Sequence, residues 1–301
     1  MIKQGLRRLA KPSKYAWKQQ RFFCSANQAE SLPEREQMKY DVVIVGGGPA
    51  GLSAAIKLKE LEKQKGKEIS VCLIEKGSAV GSHILSGNVF QTNALEELFP
   101  SWETMESRPP VNTRVTKDRF LFLRDDQRHV ELPDFLIPEM IHNGKNYIIS
   151  LGDLCKWLSE QAQELGVEIY EGFAGDQVVY DKDDRVVGIT TVDQGVGKDG
   201  KPKSSFARGV ELVGGQTILA EGCRGSLSER VIGKYGLRHG KDAPSYSIGL
   251  KEVWEVPDAK FFSGLVQHTV GWPTERDVYQ GSFLYHKDPN QVHLGLVIGL
   301  D

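Results

Sequence analysis

The sequence predicts an α/β fold: a Rossmann-like domain on a parallel sheet, carrying an antiparallel meander, followed by part of a second, α+β domain built on an antiparallel sheet. Three observations predict it. Residues 42–45 are an unbroken aliphatic run that ends on Gly46-Gly-Gly-Pro-Ala-Gly51. Residues 176–213 hold three strand-like stretches separated by polar and glycine-rich turns. From Tyr246 to the end, short apolar runs alternate with turn residues and show no helical spacing.

The run at 42–45 reads as a strand buried on both faces. Gly46 lets the chain turn sharply at its end. Gly48, lacking a side chain, lets a pyrophosphate approach the backbone, and Gly51 and Ala55 let the next helix lie close to the strand. That helix is expected over 49–65, with Pro49 in its first turn and Leu52, Ala55, Ile56, Leu58 and Leu61 mostly on one face. Its N-terminus turns unpaired N–H groups and the positive end of the helix dipole toward an anion. A second strand over 69–74 runs into Glu75, where a carboxylate accepts hydrogen bonds from ribose hydroxyls and repels a 2′-phosphate. Gly46, Gly48, Pro49, Ala50 and Gly51, with Glu75 and Lys76, are thus a candidate dinucleotide site. An ordinary βαβ unit with a surface Glu is the alternative.

The loop Gly77 to Gly87 is rich in small residues and suits a planar ring; His83 within it either faces that ring or is structural. A short helix is expected over 93–99. Residues 119–138 read as a hairpin with large apolar residues on both arms, packed on the core or resting as an apolar lip on a bilayer. A helix over 152–165 stops at Gly166, and a strand follows at 167–170. The meander strands are expected at 177–180, 186–192 and 207–213, with the Gly195 to Gly200 turn between the last two. A separate strand at 216–220 then runs into Glu221-Gly-Cys-Arg-Gly-Ser226, where a helix begins. Glu221 and Gly222 therefore form a second candidate cofactor contact. Further strands are expected at 247–256, 266–270, 281–285 and 292–300, leaving an open sheet edge or a missing remainder after Asp301.

The first 29 residues contain no acid and carry seven Lys or Arg among apolar residues, the profile of a mitochondrial targeting segment. Arg21-Phe-Phe23 before Cys24 suits a peptidase site, so 1–23 is assigned to targeting and 24–38 to a linker. A disordered basic tail or a nucleic-acid arm are the alternatives for that segment alone. A net charge of −2 gives no general affinity for nucleic acid. No apolar run approaches the length of a transmembrane helix, so any membrane contact is peripheral. Cys24, Cys72, Cys155 and Cys223 lie far apart and form no C-x-x-C, so no metal or iron–sulfur ligand set is read.

Residues 41–55, Gly81-Ser-His-Ile-Leu-Ser-Gly87, Asn146-Tyr-Ile, Ala220-Glu-Gly-Cys223, Gly249-Leu-Lys-Glu-Val-Trp254, His268-Thr-Val-Gly-Trp-Pro273 and Gly281-Ser-Phe-Leu-Tyr-His286 resemble the electron transfer flavoprotein–ubiquinone oxidoreductases. The resemblance covers almost everything from Lys39 to Asp301. It implies FAD and a 4Fe-4S cluster carrying electrons from reduced electron transfer flavoprotein to ubiquinone, in an enzyme peripheral to the matrix side of the mitochondrial inner membrane. It also implies that residues 39–110 with 150–243 bind FAD, and that 111–149 with 244–301 form part of the quinone and membrane side. The family's chains are about twice as long, and their cluster cysteines fall beyond Asp301. They also carry two consecutive glycines where this chain has Gln280-Gly281, so only Gly281 carries over cleanly to the quinone contact. The chemistry is expected to be flavin-borne, with no catalytic side chain. The rival expectations are a hydroxylase or prenyl-chain reductase of the same fold, and a non-catalytic FAD-binding fragment.

Overall fold

A computed structural model describes residues 33–300 apart from Ser86 and Arg276. The targeting assignment at 1–23 and most of the linker lie outside the described residues. Arg35–Asp301 form one compact unit.

The chain begins with β1 (Gln37–Val45), α1 (Pro49–Lys65), β2 (Val71–Glu75), β3 (Asn88–Phe90) and α2 (Asn93–Leu98). Next come β4 (Thr113–Arg114), β5 (Lys117–Leu123), β6 (His129–Glu131) and β7 (Tyr147–Ile149). Helix α3 (Leu151–Glu164) leads into β8 (Glu168–Glu171), β9 (Gly175–Tyr180), β10 (Val186–Thr191), β11 (Gln194–Val196), β12 (Pro202–Ala207) and β13 (Glu211–Leu219). Helix α4 (Ser226–Tyr235) precedes β14 (Ser247–Glu255), β15 (Leu265–Gly271), β16 (Gln280–Lys287) and β17 (Gln291–Gly299).

Two six-stranded sheets carry the fold. The first has the order β8-β2-β1-β13-β10-β9. Strand β1 pairs parallel with both β2 and β13, while β10 and β9 run antiparallel. The unbroken aliphatic run is explained by burial on both faces: Ile44 packs with Leu52, Ile56 and Leu73, while Val43 and Val45 pack with Ile189, Leu212 and Leu227 on the other side. Each such side chain contributes about 1.5–3 kcal/mol on leaving water. The second sheet has the order β14-β17-β16-β15-β5-β6, antiparallel except for the parallel β15–β5 pair. A three-stranded sheet, β3-β7-β4, and a two-stranded one, β11-β12, accompany them. Val115, Ile148, Val266 and Tyr285 form a core between this small sheet and the second large one.

Three expectations are corrected in detail. The third meander strand and the strand expected at 216–220 are one strand, β13, running straight through Gly214-Gly215. The glycine pair looks like a turn in sequence, but its role is close approach: a Cβ at Gly214 would stand 3.0 Å from a Val43 methyl, and one at Gly215 would stand 3.2 Å from the Asp41 carbonyl oxygen. The Gly195 to Gly200 turn closes a separate hairpin, β11–β12. The second arm of the 119–138 hairpin stops at Glu131, because Pro133 and Pro138 each start a 3-10 turn, Asp134–Leu136 and Glu139–Ile141. Among the described residues no helix is long and apolar enough to cross a membrane.

Candidate functional site

The parallel strands β1, β2 and β13 end at one cleft of about 640 Å³, in the position where open α/β sheets hold ligands. Its wall is built by the glycine turn after β1. Gly46 has φ +114, and a Cβ there would stand 2.4 Å from the Ala220 carbonyl oxygen at the end of β13. A Cβ at Gly51 would stand 2.0 Å from the Gly46 carbonyl oxygen. At Gly48, by contrast, a Cβ would meet nothing within 4 Å, so the open side of the turn faces the cleft. Helix α1 starts immediately after, with Pro49 in its first turn and no side chain capping its N-terminus. Its first N–H groups and its dipole are therefore left for an anion in the cleft.

Glu75 stands at the opposite rim. Its Oε2 accepts the Gly47 N–H at 2.9 Å and its Oε1 accepts the Gly77 N–H at 2.7 Å. These bonds fix the carboxylate's orientation and leave each oxygen a further lone pair for a hydroxyl donor. Lys76 follows, exposed on the same rim.

Glu221 and Gly222 reach the same cleft, with Gly222 at φ +80. The Glu221 carboxylate turns back onto its own helix. It accepts the Leu227 N–H at 3.2 Å, the Ser228 N–H at 2.7 Å and the Ser228 hydroxyl at 2.8 Å. It therefore takes the positive end of α4 for itself, so the N-terminus of α1 is the anion-receptive end in this cleft.

Sequence reasoning missed the third wall, Phe173-Ala174-Gly175, which runs from the turn after β8 into the first residue of β9. It is tied to the nucleotide-side strand by Phe173 N–H donating to the Glu75 carbonyl at 2.9 Å and Gly172 N–H to the Gly77 carbonyl at 2.7 Å. Gly172 and Gly175, bracketing the turn, are the signal that would have found it. His83 and Ile84 line the cleft from the small-residue loop.

Gln280 and Gly281 lie on β16 of the second sheet and are not part of this cleft. They point to opposite faces, as neighbours on a strand must. The Gln280 amide donates to the Gly271 carbonyl oxygen and is buried. Gly281 shares the other face with Phe283 and Tyr285. On that face the Tyr285 hydroxyl bonds His268 Nε2 at 2.8 Å.

The residues present fit a flavin dinucleotide: two glycines where a Cβ would collide, an open glycine at a helix N-terminus, and an oriented carboxylate at the second strand. They do not fit a 4Fe-4S cluster. Among the described residues no group of three His, Cys, Asp or Glu could hold a metal, and Cys72 and Cys155 are buried singly.

A family model for pyridine nucleotide-disulphide oxidoreductases matches residues 40–239, and one described as ETF-QO, ubiquinone-binding, matches 246–301. The chain is 50% identical over 268 residues to an electron transfer flavoprotein-ubiquinone oxidoreductase of Pseudomonas aeruginosa, covering 89% of this chain and 48% of the relative. It is 48% identical over 271 residues to the mitochondrial protein of that name from Mus musculus, covering 89% of this chain and 43% of the relative. The chain thus spans about half the length of these curated relatives or less. Among solved structures, a geranylgeranyl bacteriochlorophyll reductase-like protein from Thermoplasma acidophilum superposes with a TM-score of 0.62 at 17% identity, covering 87% of this chain and 57% of that one. A flavin-dependent brominase superposes with a TM-score of 0.54 at 17% identity, covering 88% of this chain and 57% of that one. These likenesses show the fold.

Proposed function

We propose, from the premise that this chain belongs to the pyridine nucleotide-disulphide oxidoreductase family and within it to the electron transfer flavoprotein–ubiquinone oxidoreductases, that it holds FAD and takes part in passing electrons from reduced electron transfer flavoprotein to ubiquinone. The observation that carries this reading is the juxtaposition in one chain of a dinucleotide cleft at 46–51, 75 and 222 with a stretch, 246–301, matching a ubiquinone-binding model.

In this reading the N–H groups of Gly48, Ala50 and Gly51 in the first turn of α1 receive the pyrophosphate, Pro49 having no N–H and setting the turn's φ, and Glu75 receives the ribose hydroxyls. Glu221 and Gly222 shape the far side of the cleft. Bound FAD supplies two-electron redox chemistry; the chain supplies position and electrostatics. The quinone ring would lie on the face of β16 where Gly281 carries no side chain, while Gln280 supports the strand from behind.

The partner assignment and the location, the matrix side of the mitochondrial inner membrane, belong to the same proposal. Their support is the mitochondrial relatives together with one surface. Phe135 and Met140, 84% and 87% exposed, project from the two 3-10 turns beside exposed Leu136 and Ile141. So apolar a surface patch suits contact with a bilayer.

The test is the visible spectrum of the purified chain after incubation with FAD and gel filtration, followed by chemical reduction and addition of a short-chain ubiquinone. A retained flavin band that is bleached by reductant and recovers on quinone addition supports the reading. A colourless protein overturns the cofactor assignment, and substrate-stimulated oxidation of NAD(P)H would favour a hydroxylase or reductase instead.

A further inference from the structure

The face of the second sheet that carries Gly281 also carries an unexplained charge. Directly opposed residues on neighbouring strands share a face. Across four strands the register reads His268–Phe283–Gly295–Lys251, and one row along it reads Tyr285–His293–Val253. Gly281 is opposed by Val297, which opposes Gly249, two residues from Lys251. Gly281 and Lys251 therefore share a surface, on strands two spacings apart, about 10 Å.

The loop that lines the cofactor cleft with its first residues, Gly81, His83 and Ile84, lands on this surface with its last. A Cβ at Gly87, φ +93, would stand 2.1 Å from His293 Nδ1 and 2.2 Å from Lys251 Nζ. The backbone of Gly87 is thus wedged between an imidazole and an amine. His293 is 4% exposed, and among the described residues its Nδ1 has no hydrogen-bond partner; the next residue after Gly87, Asn88 at the start of β3, has a buried Oδ1 that is equally unpartnered. Lys251 is half-buried, and among the described residues its amine has neither a hydrogen bond nor a carboxylate partner. Burial alone pushes its pKa down.

Two polar atoms held out of water without partners among the described residues, beside an unpaired half-buried cation, cost stability, and such groups call for a ligand or a functional reason. A permanent counterion would be the simplest remedy, and the described residues offer none. A charge that arrives only when a neighbouring ring is reduced would account for its absence.

We propose that Lys251 and His293 form a contact point for a conjugated ring carbonyl whose oxygen gains negative charge on two-electron reduction. Two sources share that chemistry, the flavin pyrimidine ring and the quinone head. The site lies where the loop that lines the cleft with Gly81, His83 and Ile84 meets the Gly281 face at Gly87. Lys251 donates to the oxygen, and the unpartnered His293 Nδ1 accepts from an adjacent N–H or hydroxyl. This inference rests on the reading of the chain as a flavin- and quinone-binding protein.

The experiment compares the flavin-loaded full chain with Lys251→Met and Lys251→Arg. The first arm measures the midpoint potential of bound FAD. If the carbonyl is the flavin's, Lys251→Met lowers the ratio of reduced to oxidised binding at least tenfold, about 30 mV for a two-electron couple, and Lys251→Arg largely restores it. The second arm measures the Kd of a short-chain ubiquinone by fluorescence quenching. If the carbonyl is the quinone's, Lys251→Met weakens binding at least tenfold with the potential unmoved. Thermal melts accompany both arms, and Lys251→Met should melt no lower than the parent, since it removes an uncompensated cation. Normal potential and normal quinone affinity in Lys251→Met overturn the proposal and leave ordered water as the occupant. So does a lowered melting temperature with both ligands bound normally, which would make the lysine structural. A parent protein that binds neither FAD nor quinone sinks the functional reading itself and this inference with it.

Discussion

Gly51 lies against the carbonyl oxygen of Gly46 so closely that a Cβ at position 51 would stand 2.0 Å from it. The first turn of α1 therefore touches the strand end it springs from, and that contact aims the helix at the cleft. Gly51→Ala should cost about 1–3 kcal/mol, the range for forcing a methyl into filled space. It should also abolish flavin retention, because α1 is displaced. Gly48→Ala is the control. A Cβ there meets nothing within 4 Å, and the backbone is extended, φ −81 and ψ −179. Its denaturation midpoint should match the parent, while FAD binding weakens at least tenfold because the methyl occupies the phosphate approach. Urea melts and flavin titration check both. Equal loss of stability in the two variants would show that Gly48 packs as Gly51 does.

How much of this was legible beforehand follows from how local each signal is. The strand–turn–helix at 42–65 and the carboxylate at Glu75 were readable because an aliphatic run, glycine spacing and a charged strand end are all contiguous in sequence. The fate of Gly214-Gly215 was not, since the reason for two glycines there is Val43 and Asp41 on a strand more than 170 residues earlier. Phe173-Ala174-Gly175 escaped for the same reason: it becomes a wall only when the first sheet assembles. The orientation of Glu221 was also hidden. A carboxylate beside a helix start can face the ligand or cap the helix, and only the N–H positions at Leu227 and Ser228 decide it.

That capping predicts the behaviour of Glu221 variants. Glu221→Ala removes an acceptor for two helix N–H groups and a hydroxyl, and should destabilise the fold by about 1–2 kcal/mol. Glu221→Gln keeps one accepting oxygen and loses the charge, so it should cost less than half as much. In Glu221→Ala, and in part in Glu221→Gln, the positive end of α4 becomes available to the cleft. The pyrophosphate then gains a second receptive helix end, and FAD affinity should hold steady or rise. A large fall in FAD affinity for Glu221→Gln would show that the carboxylate contacts the cofactor directly.

Acid sensitivity has an identifiable source in His293. Burial, aided by Lys251 and Lys287, pushes its pKa down to about 4 from the 6.5 of an exposed imidazole. Because the folded-state value lies below the unfolded one, the unfolded chain binds the extra proton across this window. Stability is therefore full above about pH 6.5 and declines as the pH falls to about 4, by roughly 3 kcal/mol at most. Half-buried His268 and buried His286, also shifted down by burial, act in the same direction. Glu168 adds a loss at lower pH: hydrogen bonds from Tyr170 and Tyr40 lower its pKa, so its contribution goes as the pH drops through that folded value. Melts of His293→Gln should show a shallower pH slope between 6.5 and 4 and an unchanged one below. A parallel curve would place the titration elsewhere.

Thiol chemistry reads out the second wall of the cleft. Cys72 and Cys155 are buried, and burial pushes both thiols up to about 12, so at pH 8 neither presents a thiolate. Cys223 is exposed and follows Gly222, which lines the cleft. With Cys24 replaced by Ser, a maleimide at pH 8 should label the native protein once, at Cys223, and three times after denaturation. Saturating FAD should slow the native reaction several-fold, because a ligand filling the cleft covers the 222–226 turn. If FAD binds but leaves the Cys223 rate untouched, the cofactor lies along β1, β2 and the 173–175 wall, away from the β13–α4 turn, and Glu221 is then a helix cap with no part in cofactor binding.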